Sequence, residues 1–166
     1  MVKLVSAEGA VIDVDRDIIE QSALIRNILQ DVGDTGDPIP VPNVSGPILS
    51  KVIEYCTHHR DDLDRRTRPD TSLGGDADEA SIQRAIRQMD EFDHNFCKVD
   101  QGTLFDIILA ANFLDIQPLL DVASLTVANM MKGKSVEEIR RTFNVKNDFD
   151  EEEEARVRSA NAWCEN

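Results

Sequence analysis

Apolar and polar positions alternate at the start of the chain. VKLVS (2–6) and AVIDV (10–14) place apolar residues on every second position on either side of Ala7, Glu8 and Gly9, and both runs are rich in β-branched residues. This pattern predicts a β-hairpin over 2–14. The period then changes to that of a helix: Leu24, Ile25, Ile28 and Leu29 follow Ser22, a good N-cap, and Gly33 ends the run. After a polar turn at 34–37, Ile39-Pro40-Val41-Pro42 can only be an edge strand, because proline cannot donate to a ladder. Ser45 and Pro47 open a helix to His59 with Ile48, Leu49, Val52, Ile53 and Cys56 on one face.

The pattern breaks at 61–81, where both charges mix with Pro, Gly, Ser and Thr around only two leucines. So little apolar surface cannot offset ordering entropy, so a flexible insert is expected there, followed by a short helix over 81–89. From Phe92 onward almost everything reads as helix. Asp100 caps 102–115, Pro118 sits in the first turn of a helix closing at Gly133, Ser135 and Glu138 form a capping box, and a last helix starts near Glu151 and runs to Trp163. Strand–helix alternation followed by consecutive helices is an α+β order.

Composition narrows the function. Eighteen Lys+Arg against thirty-two Asp+Glu give a net charge of −14 over 166 residues. Binding to phosphate backbones or anionic lipid rests on cations, so neither nucleic acid nor membrane is an expected partner. The three cysteines, Cys56, Cys97 and Cys164, are widely spaced and form no CxxC pair. With no signal-peptide pattern at the start, a reducing compartment, cytosol or nucleus, is expected.

Two helices carry more apolar surface than one core needs. In 103–116, Leu104, Phe105, Ile107, Ile108, Leu109, Ala111, Phe113 and Leu114 point nearly all round, and a helix apolar on every side is expected to be buried on every side. In 118–131, Leu119, Val122, Ala123 and Met130 form one stripe; Leu120, Ser124, Val127 and Met131 form a second, about 100° away. Both stripes would be core in a small bundle. The sparse anchors that follow (Ile139, Phe143, Val145, Phe149, Val157 and Trp163) favour an unfilled second stripe instead. Trp163, the single tryptophan, stands near the end of the sequence, where chain ends fray unless docked. Docking on a partner and packing on its own domain are both open to it.

The stretches KVDQGTLF (98–105), ILAAN (108–112), LLDV (119–122), TVANM (126–130), KGK (132–134), EEIR (137–140), KNDF (146–149) and EEEEA (151–155) closely resemble the S-phase kinase-associated protein (Skp) family, the adaptors of SCF ubiquitin ligases. VPNV (41–44) and CTHH (56–59) match in the first half, and the resemblance spans the chain except about 61–91. It implies a BTB/POZ fold over 1–131 followed by dimerisation and F-box-binding helices over 132–166, in a non-catalytic bridge without cofactors. Carried over by motif, the cullin-facing residues would be Asn112 and Phe113, with Pro42, Asn43 and Val44 as weaker candidates. The F-box side would use Leu104, Phe105, Leu120, Ser124, Val127, Lys134, Phe143, Val145, Asn161 and Trp163. That list takes in three members of the second stripe and the tryptophan.

Several positions depart from the family pattern. Phe92 stands for the usual Trp, Phe113 for Tyr, Ser124-Leu125 for Cys-Lys and Val136 for Pro, while 60–68 contains arginines where the family is acidic and Pro-rich. The Phe113 change deletes a hydroxyl, and the Cys-Lys change is expected to remove a cation near the groove. Together they suggest a diverged paralogue with a narrower set of F-box partners.

Enzymatic readings have less support. Cys56-x-His58-His59 and the His94/Cys97 pair lack zinc-ligand spacing, so no metal is expected. A Cys-His hydrolase would need a low-pKa thiolate, which the apolar helical setting of Cys56 opposes. No phosphate-loop, dinucleotide or HExxH motif occurs. A self-associating BTB-type scaffold that binds F-box proteins without a cullin is the remaining alternative.

Overall fold

The computed structural model describes residues 1–33, 36–61, 87 and 89–161. The insert expected over 61–81 and the helix expected over 81–89 fall almost wholly outside these residues, as do part of the 34–37 turn and Trp163. The chain divides into two compact units, Met1–Met130 and Met131–Asn166.

The hairpin forms as the alternation dictates. Strands β1 (Val2–Val5) and β2 (Val11–Val14) pair antiparallel, Val2 opposite Val14 and Val5 opposite Val11. Val2, Leu4 and Val14 are buried on one face. Strand β3 (Ile39–Pro40) pairs parallel with β1, Leu4 opposite Ile39, giving the order β2-β1-β3. Pro40 thus lies on an edge, where its missing N–H costs no ladder bond. Helix α1 (Arg16–Ile19), which periodicity did not predict, turns the chain after β2 and buries Ile18 and Ile19.

Helix α2 (Ala23–Val32) starts at Ser22, whose Oγ accepts the Ile25 N–H at 3.1 Å. Helix α3 (Gly46–His58) buries Ile48, Leu49, Val52, Tyr55 and Cys56. Ser45 opens α3 at its N-cap position with Pro47 in the first turn, as expected, but its side chain makes no cap bond, and the Gly46 N–H donates instead to Glu8 Oε2 at 2.9 Å. Ser45 holds the backbone position, but the turn of the hairpin brings a carboxylate to the helix end first.

Helix α4 (Glu91–Phe96) is capped by Asp90, and α5 (Gln101–Leu114) by Asp100. Helix α6 (Gln117–Met131) follows a left-handed Asp115 (φ 53°) that terminates α5. Helix α5 packs on α3 and on α2, at the centre of the first unit. Tyr55, fully buried, stands beside His59 and Phe96 with ring centroids 4.5 and 5.6 Å away. His59 Nε2 lies 2.9 Å from Asp93 Oδ1, and both residues are buried, tying the end of α3 to α4.

In the second unit, α7 (Val136–Thr142) and α8 (Glu151–Ala160) each begin with a full capping box, Ser135/Glu138 and Asp150/Glu153. Neither helix has a buried residue. Strands interleaved with helices up to α3, and helices alone after it among the described residues, are the α+β architecture expected of a BTB/POZ fold with C-terminal helices.

Candidate partner-binding surfaces

Helix α5 sorts its apolar residues into two faces. Leu104, Ile107, Ala110, Ala111 and Leu114 are buried, whereas Leu109 is 64% exposed and Phe105 and Asn112 are exposed as well. Ile108 and Phe113 are half-buried at the margins. The expectation of burial on every side therefore fails. The core has room for one face of α5, and the rest of its apolar surface is left toward solvent. Phe105, Leu109 and Asn112 follow i, i+4, i+7 spacing and share that outer face over roughly 10 Å of helix. The residues assigned by resemblance to two different partners are thus neighbours on one face, and Leu109, assigned to neither, stands between them. Its signal in the sequence was the all-round apolarity of the helix.

Leu104 must be corrected as a contact residue, because at 2% exposure its side chain belongs to the core. The same holds for Val44, which is 1% exposed, while Pro42 and Asn43 beside it are exposed. Three backbone-anchored bonds fix this short loop. The Val41 N–H donates to Val5 O (2.7 Å), the Ala7 N–H to Val44 O (2.9 Å) and the Gly46 N–H to Glu8. The end of α5 is held just as firmly. Ser22 Oγ donates to Leu114 O and the Ala23 N–H to Asp115 O at 3.1 Å, which sets the position of Asn112 and Phe113.

On α6 the two stripes separate. Leu119, Val122 and Ala123 are core; Leu120 and Val127 are half-buried, and Ser124 and Met131 are exposed. The second stripe is therefore a margin: Leu120 and Val127 pack against the core yet remain partly open.

The second unit offers further apolar side chains. Helix α7 ends in a Schellman-type turn: Asn144 adopts φ 50°, the Val145 N–H donates to Arg140 O at 2.8 Å, and the Asn144 N–H reaches Arg141 O. This turn leaves Phe143 half-buried and Val145 56% exposed. Lys134 Nζ donates to Thr142 Oγ1 at 3.3 Å, and Asn161 is exposed at the end of α8. The unit is held by polar contacts. Arg140 pairs with Glu154 (3.4 Å) and lies over the Phe149 ring, and Arg158 pairs with Glu137 (3.0 Å). Asn147 and Arg140 hold the Glu154 carboxyl below its usual range.

The arrangement offers little to covalent chemistry. Burial pushes the Cys97 thiol up, away from a reactive thiolate, and Cys56 is fully buried. His58, His59 and Asp90 bring their potential ligand atoms within 4.8 Å of one another. His58 also stacks on Phe92 (centroids 3.8 Å apart), His59 bonds Asp93, and Asp90 Oδ1 accepts the Asp93 N–H. Donors around a zinc ion lie about 3.4 Å apart, given bonds near 2.1 Å. The group would have to close to hold one.

Comparison with known proteins agrees with this geometry. Residues 1–61 match the tetramerisation domain of the Skp1 family and residues 117–164 its dimerisation domain. The chain belongs to the Skp1 family. A relative named E3 ubiquitin ligase complex SCF subunit sconC, from Arthroderma benhamiae, is 51% identical over 164 residues, 99% of this chain and 94% of that protein. The protein of the same name from Aspergillus flavus is 53% identical over 160 residues, 96% and 93% of the two chains. One from Talaromyces marneffei is 50% identical over 164 residues, 99% of this chain and 96% of its own.

Within this Skp1-family chain the departures fall in different settings. Leu125, where the family has Lys, is buried at 9% exposure but stands outside the main core cluster. Val136, at the first position of α7, is 54% exposed, where proline and valine both fit. Phe92 stacks on His58 and lies 5.7 Å from Phe96, filling an aromatic cluster at the end of α3.

Proposed function

We propose that this chain is the non-catalytic adaptor of an SCF-type cullin–RING E3 ubiquitin ligase, bridging a cullin N-terminal domain to F-box substrate receptors. The observation that carries this reading is a C-terminal unit whose two helices are fully capped and yet bury no side chain. Caps set where a helix starts, but most helical stability in proteins comes from packing an apolar face. Val136, Val145, Phe149 and Val157, all exposed, are surface that a partner helix would cover. The half-buried Leu120/Val127 stripe of α6 supports the same conclusion from the first unit. The names of the fungal relatives place those proteins in an SCF complex. Asn112 and Phe113, with Pro42 and Asn43, are the residues we assign to the cullin; Phe105, Leu120, Ser124, Val127, Lys134, Phe143, Val145, Asn161 and Trp163 are those we assign to the F-box.

Co-expression with an F-box domain and a cullin N-terminal domain, followed by size exclusion, tests the reading. A ternary complex is expected. Asn112→Lys with Phe113→Lys should lose the cullin and retain the F-box, and Val127→Glu should do the reverse. Elution of this chain without either partner would refute the adaptor role.

A further inference from the structure

The hairpin turn does more than join β1 to β2. Glu8 Oε2 accepts two hydrogen bonds, from the Gly46 N–H at 2.9 Å and from Ser6 Oγ at 2.9 Å. Ser6 is buried, and its Oγ in turn accepts the Ala10 N–H at 3.2 Å, so the group that braces the carboxylate is itself held. One residue earlier, the Ala7 N–H grips Val44 O. The turn therefore clamps both the exit of the 41–44 loop and the start of α3. Pro42 and Asn43, exposed, are carried between these anchors. Ser45, the residue that local rules nominate as cap, takes no part.

The carboxyl of Glu8 is held below its usual range, first by the Gly46 N–H and then by the Ser6 hydroxyl. Negative charge at the first turn of a thirteen-residue helix also meets the positive end of its dipole. Without this bond the first N–H of α3 would turn to water, and the loop would be tied to the turn only through Val44 O.

We propose that Glu8 is the positioning residue for the cullin face: its carboxylate, braced by Ser6 and fixed on the Gly46 N–H, sets the conformation in which Pro42 and Asn43 meet the cullin N-terminal domain. This rests on the assignment of that loop to the cullin. Glu8 acts through the loop and needs no contact with the partner itself.

The test measures affinity for a cullin N-terminal domain and, separately, for an F-box domain, in the full chain carrying Glu8→Ala, Glu8→Gln or Asn43→Lys. Glu8→Ala should weaken cullin binding about fivefold, the scale of one lost helix cap, and leave F-box binding unchanged. Glu8→Gln, whose amide oxygen reaches the same N–H, should restore most of the affinity, and Gly46 amide exchange should be fast in the Ala variant and slow in the Gln variant. Asn43→Lys reports on the loop assignment: full cullin affinity in that variant would remove the loop from the interface and the role of Glu8 with it. Weakening by Asn43→Lys together with wild-type affinity in Glu8→Ala would overturn the role of Glu8 alone. Equal loss of both partners in the Ala and Gln variants would show a general contribution to stability and would also overturn it.

Discussion

Ser22 joins two parts of the fold that lie 92 residues apart in sequence, and removing its hydroxyl should be unusually costly for so small a change. The side chain is fully buried. Its oxygen accepts the Ile25 N–H as the cap of α2, and its proton goes to Leu114 O, the last carbonyl of α5. Ser22→Ala leaves both groups without a partner. Loss of an N-cap costs about 1 kcal/mol, and a buried carbonyl left unsatisfied costs roughly 1–3 kcal/mol. The expected total is about 3 kcal/mol, read as a lower denaturant midpoint at constant slope in urea unfolding. For a chain of this size that corresponds to a melting point lower by roughly 10 °C. Ser22→Gly separates the two contributions, because glycine at an N-cap costs only a few tenths of a kcal/mol while the carbonyl is still orphaned. A loss below about 0.5 kcal/mol for Ser22→Ala, the range of an ordinary surface change, would refute the reasoning.

Asp93→Ala should cost about 1–3 kcal/mol by removing the hydrogen-bond partner of the buried His59 ring nitrogen. In a double-mutant cycle with His59→Ala, the two losses should fall short of additivity by about 1 kcal/mol or more; strict additivity would show that the pair is not coupled. Asp100 caps α5, and the Thr103 N–H, then its hydroxyl, hold the carboxyl below its usual value of 3.8. A depressed carboxylate stabilises fully above its unfolded pKa, and the contribution disappears as the pH falls through the folded value. Urea unfolding between pH 5 and pH 2 should therefore show a shallower acid loss in Asp100→Asn than in the wild type. Leu109→Ala should change stability by less than about 0.5 kcal/mol, since the side chain stands mostly in water. The same variant should weaken binding of a partner seated on the outer face of α5, measured by calorimetry.

Much of the fold is local and was readable as such. The hairpin follows from alternation between Val2 and Val14. The starts of α2, α5 and α7 follow from Ser22, Asp100 and the Ser135/Glu138 box, which bond to backbone only three residues away. The edge position of Ile39-Pro40 follows from the missing N–H of Pro40. The surplus apolar stripe of α6 was legible as well: Leu120 and Val127 stay half-buried and Ser124 is exposed. Whether a residue matched by motif points outward was not legible. Leu104 and Phe105 are adjacent and both apolar, yet one is core and the other exposed.

Bonds that span the chain were equally out of reach: Glu8 capping α3, Ser22 holding Leu114, and His59 meeting Asp93. Hydrogen-bond partners three or four residues apart leave a spacing that can be read along the chain, whereas partners 34 to 92 residues apart leave none. Helix α5 is the sharpest case. Apolar on nearly every side, it has no preferred direction in its own periodicity, and only packing against α2 and α3 turned Ile107 inward and Leu109 toward water.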